Sequence, residues 1–358
     1  MPSSSVDTFL ACSVMILLVL SAMMGTSKLM APYLSDLASR DDTERFQYLA
    51  SNLLLTAGTP LNWGQSKSSV LSNLGLAKAG SILPYELDID KVTRLNSENA
   101  YSLAYSDLWQ AFGVKDASFR IEIKTLFEVS IDLVSNSSQG SQTIYEFGVT
   151  THKSGMPVST SLSGYIVVKD FVNRTESSTS SSGTGRVWIS IPNSINGTAL
   201  LLVFARSNAN PQIASFNTYA FAHNSQSPLL NGTFVRLSPL DYVLNASSAY
   251  ATVEVLRAQA FTFSYNFSLT EKAQGVQTAE YSIPRLLDTS PMIIVLAGVN
   301  GSASFAEGVA YPEIPFQIGA DFSESTAGPR IVVHSQIVTI NSALYEVVTK
   351  WGGLRDNV

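Results

Sequence analysis

The stretch "SSSVDTFLACSVMILLVLSAMMGTSK", residues 3–28, decides how the rest of the chain is read. Thr8 to Ser27 carries no charge over twenty residues. As an α-helix that run spans roughly 30 Å, the thickness of a bilayer core. A cleaved secretory peptide has a basic leading region and a shorter apolar core. Here no Lys or Arg precedes Lys28, and the apolar run continues too far. The segment is therefore expected to be retained and to meet the lipid bilayer through residues 8–27. Cys12, the single cysteine of the chain, lies inside this run. No disulfide can form within the chain, and Cys12 reads as a small apolar residue in lipid.

The helical pattern continues past the apolar run. "KLMAPYLSDLASRDDTERFQYLASNLLLTAG", residues 28–58, places apolar residues at Leu29, Met30, Tyr33, Leu34 and Leu37. They resume at Phe46, Leu49, Leu53 and Leu54. One helical face, interrupted by "SRDDTER", predicts a single helix from about residue 4 to about 56. Pro32 is expected to kink it, and Gly58 and Pro60 to end it. Residues 1–57 thus form a transmembrane and stem helix.

A turn-rich crossover follows over 58–117, with Trp63 expected to tuck the loop onto the body. Short helical spacing marks Val92, Leu95, Tyr101, Tyr105, Leu108 and Phe112. From residue 118 the texture becomes β. "SFRIEIKTLFEVSIDLV", "IYEFGVTT", "LSGYIVVKDF", "GRVWISIP", "TALLLVFAR" and "SFNTYAFA" are read as alternating strands. "SSTSSSGTG", residues 177–185, reads as a flexible loop. A second β region covers 226–358, with strands at "FVRLSP", "MIIVLAGVN", "RIVVHSQIVTI" and "LYEVVTKWG". It forms either a second sandwich or part of a larger sheet with the first region, 118–225. The expected class is α+β, mainly β: a long N-terminal helix, then one or two antiparallel β-sandwiches.

Composition supports an exterior location. Hydrophobic residues make up 45% and charged residues only 14%, which leaves a surface of Ser, Thr, Asn and Gly. Such a surface suits β-strands with one wet face. The net charge of −6 and the lack of any basic run argue against a nucleic-acid partner. Asn-x-Ser/Thr sequons begin at Asn136, Asn173, Asn196, Asn231, Asn245, Asn266 and Asn300, all in the β regions. They are candidate glycosylation sites. Lys28, on the C-terminal flank of the apolar run, taken alone puts that side in the cytoplasm. The sequons, the β texture and the acids Asp36, Asp41, Asp42 and Glu44 outweigh it, so the β regions are placed outside.

No catalytic constellation is legible. His152, His223 and His334 have no paired metal spacing. Neither a nucleophile elbow nor a Walker loop nor a dinucleotide fingerprint is present. "DIDKVTRL", from Asp88, begins like a calcium loop but lacks its sixth-position Gly and twelfth-position Glu. No cofactor, metal or enzymatic activity is expected.

Two resemblances extend this reading. "HKSGMPVSTSLSGYIVV" followed by "TGRVWISIPNSINGTALLLVFARS" resembles the strand order of prokaryotic Ig-like surface modules. The N-terminus resembles type IV pilins and archaeal pilin-like proteins, in which small residues and an acid precede an uninterrupted apolar helix leading to a β head. Asp7 would be the fifth residue of a chain beginning at Ser3, where that family places its acid, usually Glu. The resemblance implies assembly through the helix, with Asp7 neutralising the terminal amine of a neighbouring subunit. "LLLTAGTPLNWG", "NLGLA" and "LYEVVTKWG" are similar to stretches of archaeal membrane proteins of the same stem type. The expected function is a pilin-like or minor-pilin surface subunit. The alternatives are a monomeric anchor displaying a protein- or glycan-binding head, with Trp188, Tyr219 or Tyr311 as contact aromatics, and an envelope hydrolase.

Overall fold

The computed structural model describes residues 3–68, 70–114, 116–225, 232–285, 291–322 and 331–353, without the side chains of 3–8, 10–11, 31–41 and 353. Helix α1 (Ser3–Leu55) runs 53 residues and continues through Pro32. Its end lies where the sequence places it. Gly58 takes a positive φ of 72°, and a Cβ there would stand 2.6 Å from the Asn73 carbonyl oxygen.

The chain divides into two compact units, residues 1–51 and 52–358. The last turn of α1 belongs to the second. Leu53 and Leu54 are fully buried there, and the Leu76 amide donates to the Leu53 carbonyl at 2.8 Å. Leu53→Ala is expected to cost about 2–5 kcal/mol, the usual range for emptying a closed leucine site. Urea denaturation followed by fluorescence reads the loss.

The crossover holds β1 (Glu86–Leu87), α2 (Ile89–Thr93) and α3 (Tyr105–Phe112), and leads into β2 (Ala117–Thr125). Trp63 is fully buried and donates to the Gly75 carbonyl at 3.0 Å. Lys91, also fully buried, donates through Nζ to the carbonyls of Ala57 and Ala77 at 2.7 and 2.8 Å. Arg94 donates to the Tyr101 and Ser66 carbonyls at 2.9 and 2.8 Å. Two cations thus satisfy the carbonyls of a loop too irregular to satisfy its own.

The first sandwich contains β3 (Glu128–Gln139), β4 (Gln142–Lys153), β5 (Met156–Pro157), β6 (Thr160–Val168), β7 (Phe171–Ser178), β8 (Thr184–Pro192), β9 (Gly197–Ser207) and β10 (Ala214–His223). One sheet has the order β3-β4-β8, with short β5 also pairing β4. The other has the order β10-β9-β6-β7. Phe147, Val187, Ile189, Ile166, Leu201 and Val203 fill the space between them. The expected flexible loop over 177–185 is instead the end of β7, a tight turn and the start of β8. Thr179 Oγ1 is buried with the hydroxyls of Thr151 and Thr160, at 3.2 and 3.0 Å, and accepts from the Thr160 amide at 2.8 Å.

The second sandwich contains β11 (Phe234–Leu240), β12 (Val243–Ser248), β13 (Val253–Phe261), β14 (Asn266–Ser268), β15 (Thr270–Gln274), β16 (Thr278–Ser282), β17 (Met292–Asn300) and β18 (Ala303–Tyr311). Its sheets run β11-β12-β16-β15 and β14-β13-β17-β18. Without β5 and β15, the strand order of the first sandwich is repeated. β7 and β14 hold the same place, at the edge of the four-stranded sheet built around two long central strands.

Those two four-stranded sheets pack on each other. Tyr165, Val167, Leu202 and Phe204 of the first meet Phe261, Ile293, Val295 and Ala297 of the second. Arg174 crosses the seam and donates to the Ser264 and Phe263 carbonyls at 2.9 and 3.3 Å. The result is four stacked layers with both inner sheets covered on both faces. This corrects the alternation expected at 162–171 and 198–206. In β6 and β9 consecutive residues are buried, as a doubly covered strand requires.

The chain then returns to its own beginning. β19 (Phe316–Gly319), β20 (Ile331–Ile340) and β21 (Ala343–Gly353) join a third body with the order β1-β20-β21-β2-β19. Of the strands after Tyr311, β19 and β21 pair with β2, and β20 lies between β1 and β21, so all three leave the second sandwich. Phe119, Phe112 and Trp351 close this sheet against α3, with ring centroids 5.0–5.4 Å apart.

Candidate functional site

A long run of uncovered apolar residues lies on α1. From Cys12 to Met30 no residue is buried, and the helix is long and apolar enough to cross a membrane. A secretory signal meets the same test. Phe9, Met15, Leu17 and Leu29 are each exposed by 65% or more. Cys12 is a free, exposed thiol. The side chain of Asp7 lies outside the described residues.

The buried polar groups converge elsewhere, where the crossover meets the second sandwich. Asp88 caps α2, accepting from the amides of Asp90 and Lys91 at 3.0 and 3.1 Å. Asp90 turns inward and accepts from the Tyr311 hydroxyl at 2.6 Å and from the Asp241 amide at 2.8 Å. The stretch from Asp88 is thus a helix cap and a packing anchor. Burial, opposed by those hydrogen bonds, pushes the Asp90 carboxyl up to about 6. Burial and the neighbouring Asp90 charge hold Tyr311 well above the ordinary phenol range.

Glu313 lies close by and is 6% exposed. One of its oxygens accepts from Asn99 Nδ2 at 3.0 Å, while Oε2 has no partner among the described residues. Burial pushes its carboxyl up to about 8, so at neutral pH it is largely the uncharged acid. Asn99 Nδ2 also reaches the Pro239 carbonyl at 3.0 Å. A cavity of about 420 Å³ opens beside this junction, lined in part by Phe216, Arg236, Glu307 and Glu313. Sequence reading missed Asp90 and Glu313 because their partners lie 221 and 214 residues away.

The histidines do not come together. His152 Nε2 stands 3.1 Å from Glu128, whereas His223 is buried with Nδ1 2.8 Å from the Tyr145 hydroxyl. His334 sits on β20. Among the described residues no three of His, Cys, Asp and Glu are placed to hold a metal ion. Of the three aromatics expected as contacts, Trp188 is exposed by 53%. Tyr219 is partly buried against the first core. Tyr311 is a correction: it is 1% exposed, because its hydroxyl finds Asp90 and its ring finds the second core.

The sequons separate by geometry. Asn136, Asn173 and Asn266 are exposed and lie on β3, β7 and β14, all edge strands. Asn196 is exposed in the connection between β8 and β9, but the Thr198 hydroxyl of its sequon is buried and donates to the Ser304 carbonyl at 2.9 Å. Asn245 is half-buried on β12, which is paired on both sides. Asn300 is half-buried and accepts from Thr252. Asn231 lies outside the described residues.

No family model matches the chain, and no curated protein matches it. Among solved structures it is similar to HBP35 of Porphyromonas gingivalis at 8% identity, over 52% of this chain and 64% of that one, with a TM-score of 0.20. This chain thus spans less than two thirds of that protein, and a likeness so slight carries no argument about fold or function.

Proposed function

We propose that this chain is a non-enzymatic surface protein held in the membrane by α1, with its β body outside, and that it assembles through α1 as a pilin-like subunit. The observation that carries this reading is the bare apolar surface from Cys12 to Met30. A leucine-sized side chain left in water forgoes about 1.5–3 kcal/mol relative to burial. Lipid and neighbouring helices are the two covers such a surface takes. The continuation of α1 into the core at Leu53 supports retention, because a cut near residue 28 would sever one unbroken helix. Asp7 heads the helix and is assigned the role of offsetting a buried positive terminus on a neighbour.

Mild extraction of membranes carrying the native chain or Asp7→Ala tests the assembly. The native chain is expected to size as an oligomer and the variant as a monomer. A native chain that sizes as a monomer, or a variant that assembles unchanged, would leave the plain anchor as the correct reading.

A further inference from the structure

We propose that Asn173 carries an N-linked glycan whose first sugar packs over the indole of Trp188. The proposal rests on the β body lying outside the membrane. Trp188 is the only exposed tryptophan of four. Trp63 and Trp351 are fully buried, and Trp109 is half-buried with its Nε1 donating to the Ala117 carbonyl at 2.9 Å. A bare indole in the middle of a strand is an uncovered apolar face with a polar edge, the shape that stacks on a flat apolar partner.

The strand beside it carries the sequon. β7 is the edge of its sheet, and it runs along the free edge of β8. The Ser177 hydroxyl donates to the Arg186 carbonyl. Asn173 Oδ1 accepts from the Arg174 amide at 2.8 Å, while Nδ2, the atom that takes a sugar, donates to the Ser190 carbonyl at 3.4 Å, a long bond that is readily given up. Trp188 stands midway between Arg186 and Ser190, so Asn173 is about two residues, or roughly 7 Å, from it along the strand. A sugar attached to Asn173 would lie along the free edge of β8, the strand that carries the indole on its outward face.

The surroundings suit a neutral, hydroxyl-rich occupant. Glu146 pairs across from Trp188. Its carboxylate meets Arg186 at 3.0 Å and accepts from Ser135 at 2.9 Å. The charges beside the indole therefore cancel, while their outer lone pairs and N–H groups stay available to hydroxyls. A pyranose ring presents C–H bonds on one face and hydroxyls at its rim, which matches this arrangement. The second sandwich places Asn266 on β14, the strand equivalent to β7. A glycan on each of these strands would also block pairing at an exposed sheet edge.

The chemistry requires a transferase in the host membrane and a lipid-phosphate-linked oligosaccharide as donor. The Asn173 amide nitrogen attacks the anomeric carbon and loses one proton. The N–C bond forms as the bond from that carbon to the phosphate oxygen breaks, and the lipid phosphate leaves.

The test uses the full chain from native membranes. Mass spectrometry of the peptide containing Asn173 is expected to show a glycan, lost in Asn173→Gln and Thr175→Ala and kept in Thr175→Ser. Acrylamide quenching of tryptophan emission should rise in Asn173→Gln as Trp188 is uncovered, and Trp188→Phe should abolish that rise. Protease shaving of whole cells reports separately whether the β body is outside. A shaved β body with an unmodified Asn173 overturns this inference and leaves the surface reading intact. A glycan on Asn173 with unchanged quenching in Asn173→Gln overturns the packing on Trp188.

Discussion

Unfolding the β body at pH 5 is expected to require on the order of 3 kcal/mol more free energy than at pH 8, most of it from Glu313. Its carboxyl sits at about 8 in the folded protein, against an ordinary value of 4.5. The folded state therefore holds a proton that the unfolded chain has released. Stability is complete below the unfolded value and falls as pH rises toward 8. Asp90, raised from 3.8 to about 6, adds a smaller loss in the same direction at lower pH. Burial dominates both shifts. The Glu98 charge reinforces it at Glu313, as the charges of Asp88 and Asp241 do at Asp90. Glu313→Gln keeps an oxygen for Asn99 and removes the ionisable group. It is expected to flatten most of the pH dependence and to be more stable than the native chain at pH 8. Urea unfolding at both pH values checks this, and a native stability that does not fall from pH 5 to pH 8 would refute it.

Phe261→Ala is expected to destabilise the whole β body by about 3–5 kcal/mol. Phe261 is fully buried at the end of β13, and its ring centroid lies 5.1 Å from that of Tyr165 on β6. It therefore fills the seam between the inner sheets, where no lipid or water can replace it. Because each inner sheet is the other's cover, the two sandwiches should unfold in one calorimetric transition in both proteins. A cost below about 1 kcal/mol, or two separate transitions, would mean that the seam is not a core.

The legible parts of this fold were the local ones. α1 follows from an apolar run, a resumed helical face and a glycine with positive φ at Gly58. α2 and α3 fall where Val92 and Leu108 mark helical spacing. In β8 the alternation is true: Val187, Ile189 and Ile191 face inward while Arg186 and Trp188 face out. β9 was harder, because "TALLLVFAR" gives a strand but not the second sheet that covers its other face. The pairing of β2 with β21 and β19 spans most of the chain, and no local pattern encodes it. The junction acids were illegible for the same reason. Asp90 and Glu313 look like ordinary surface carboxylates until Tyr311 and Asn99 are brought to them. Trp188 was visible as a residue, but its place beside the Asn173 sequon depends on β7 lying along β8.

The central claim is that α1 remains on the mature chain and holds the β body outside the membrane. Intact mass of the protein left in native membranes after an alkaline carbonate wash tests it most directly, with protease shaving of the same cells beforehand. The account predicts a mass that includes residues 8–27 and a β body removed by the external protease. A soluble mature chain that begins after Lys28, or a β body that only broken cells expose to the protease, would contradict it.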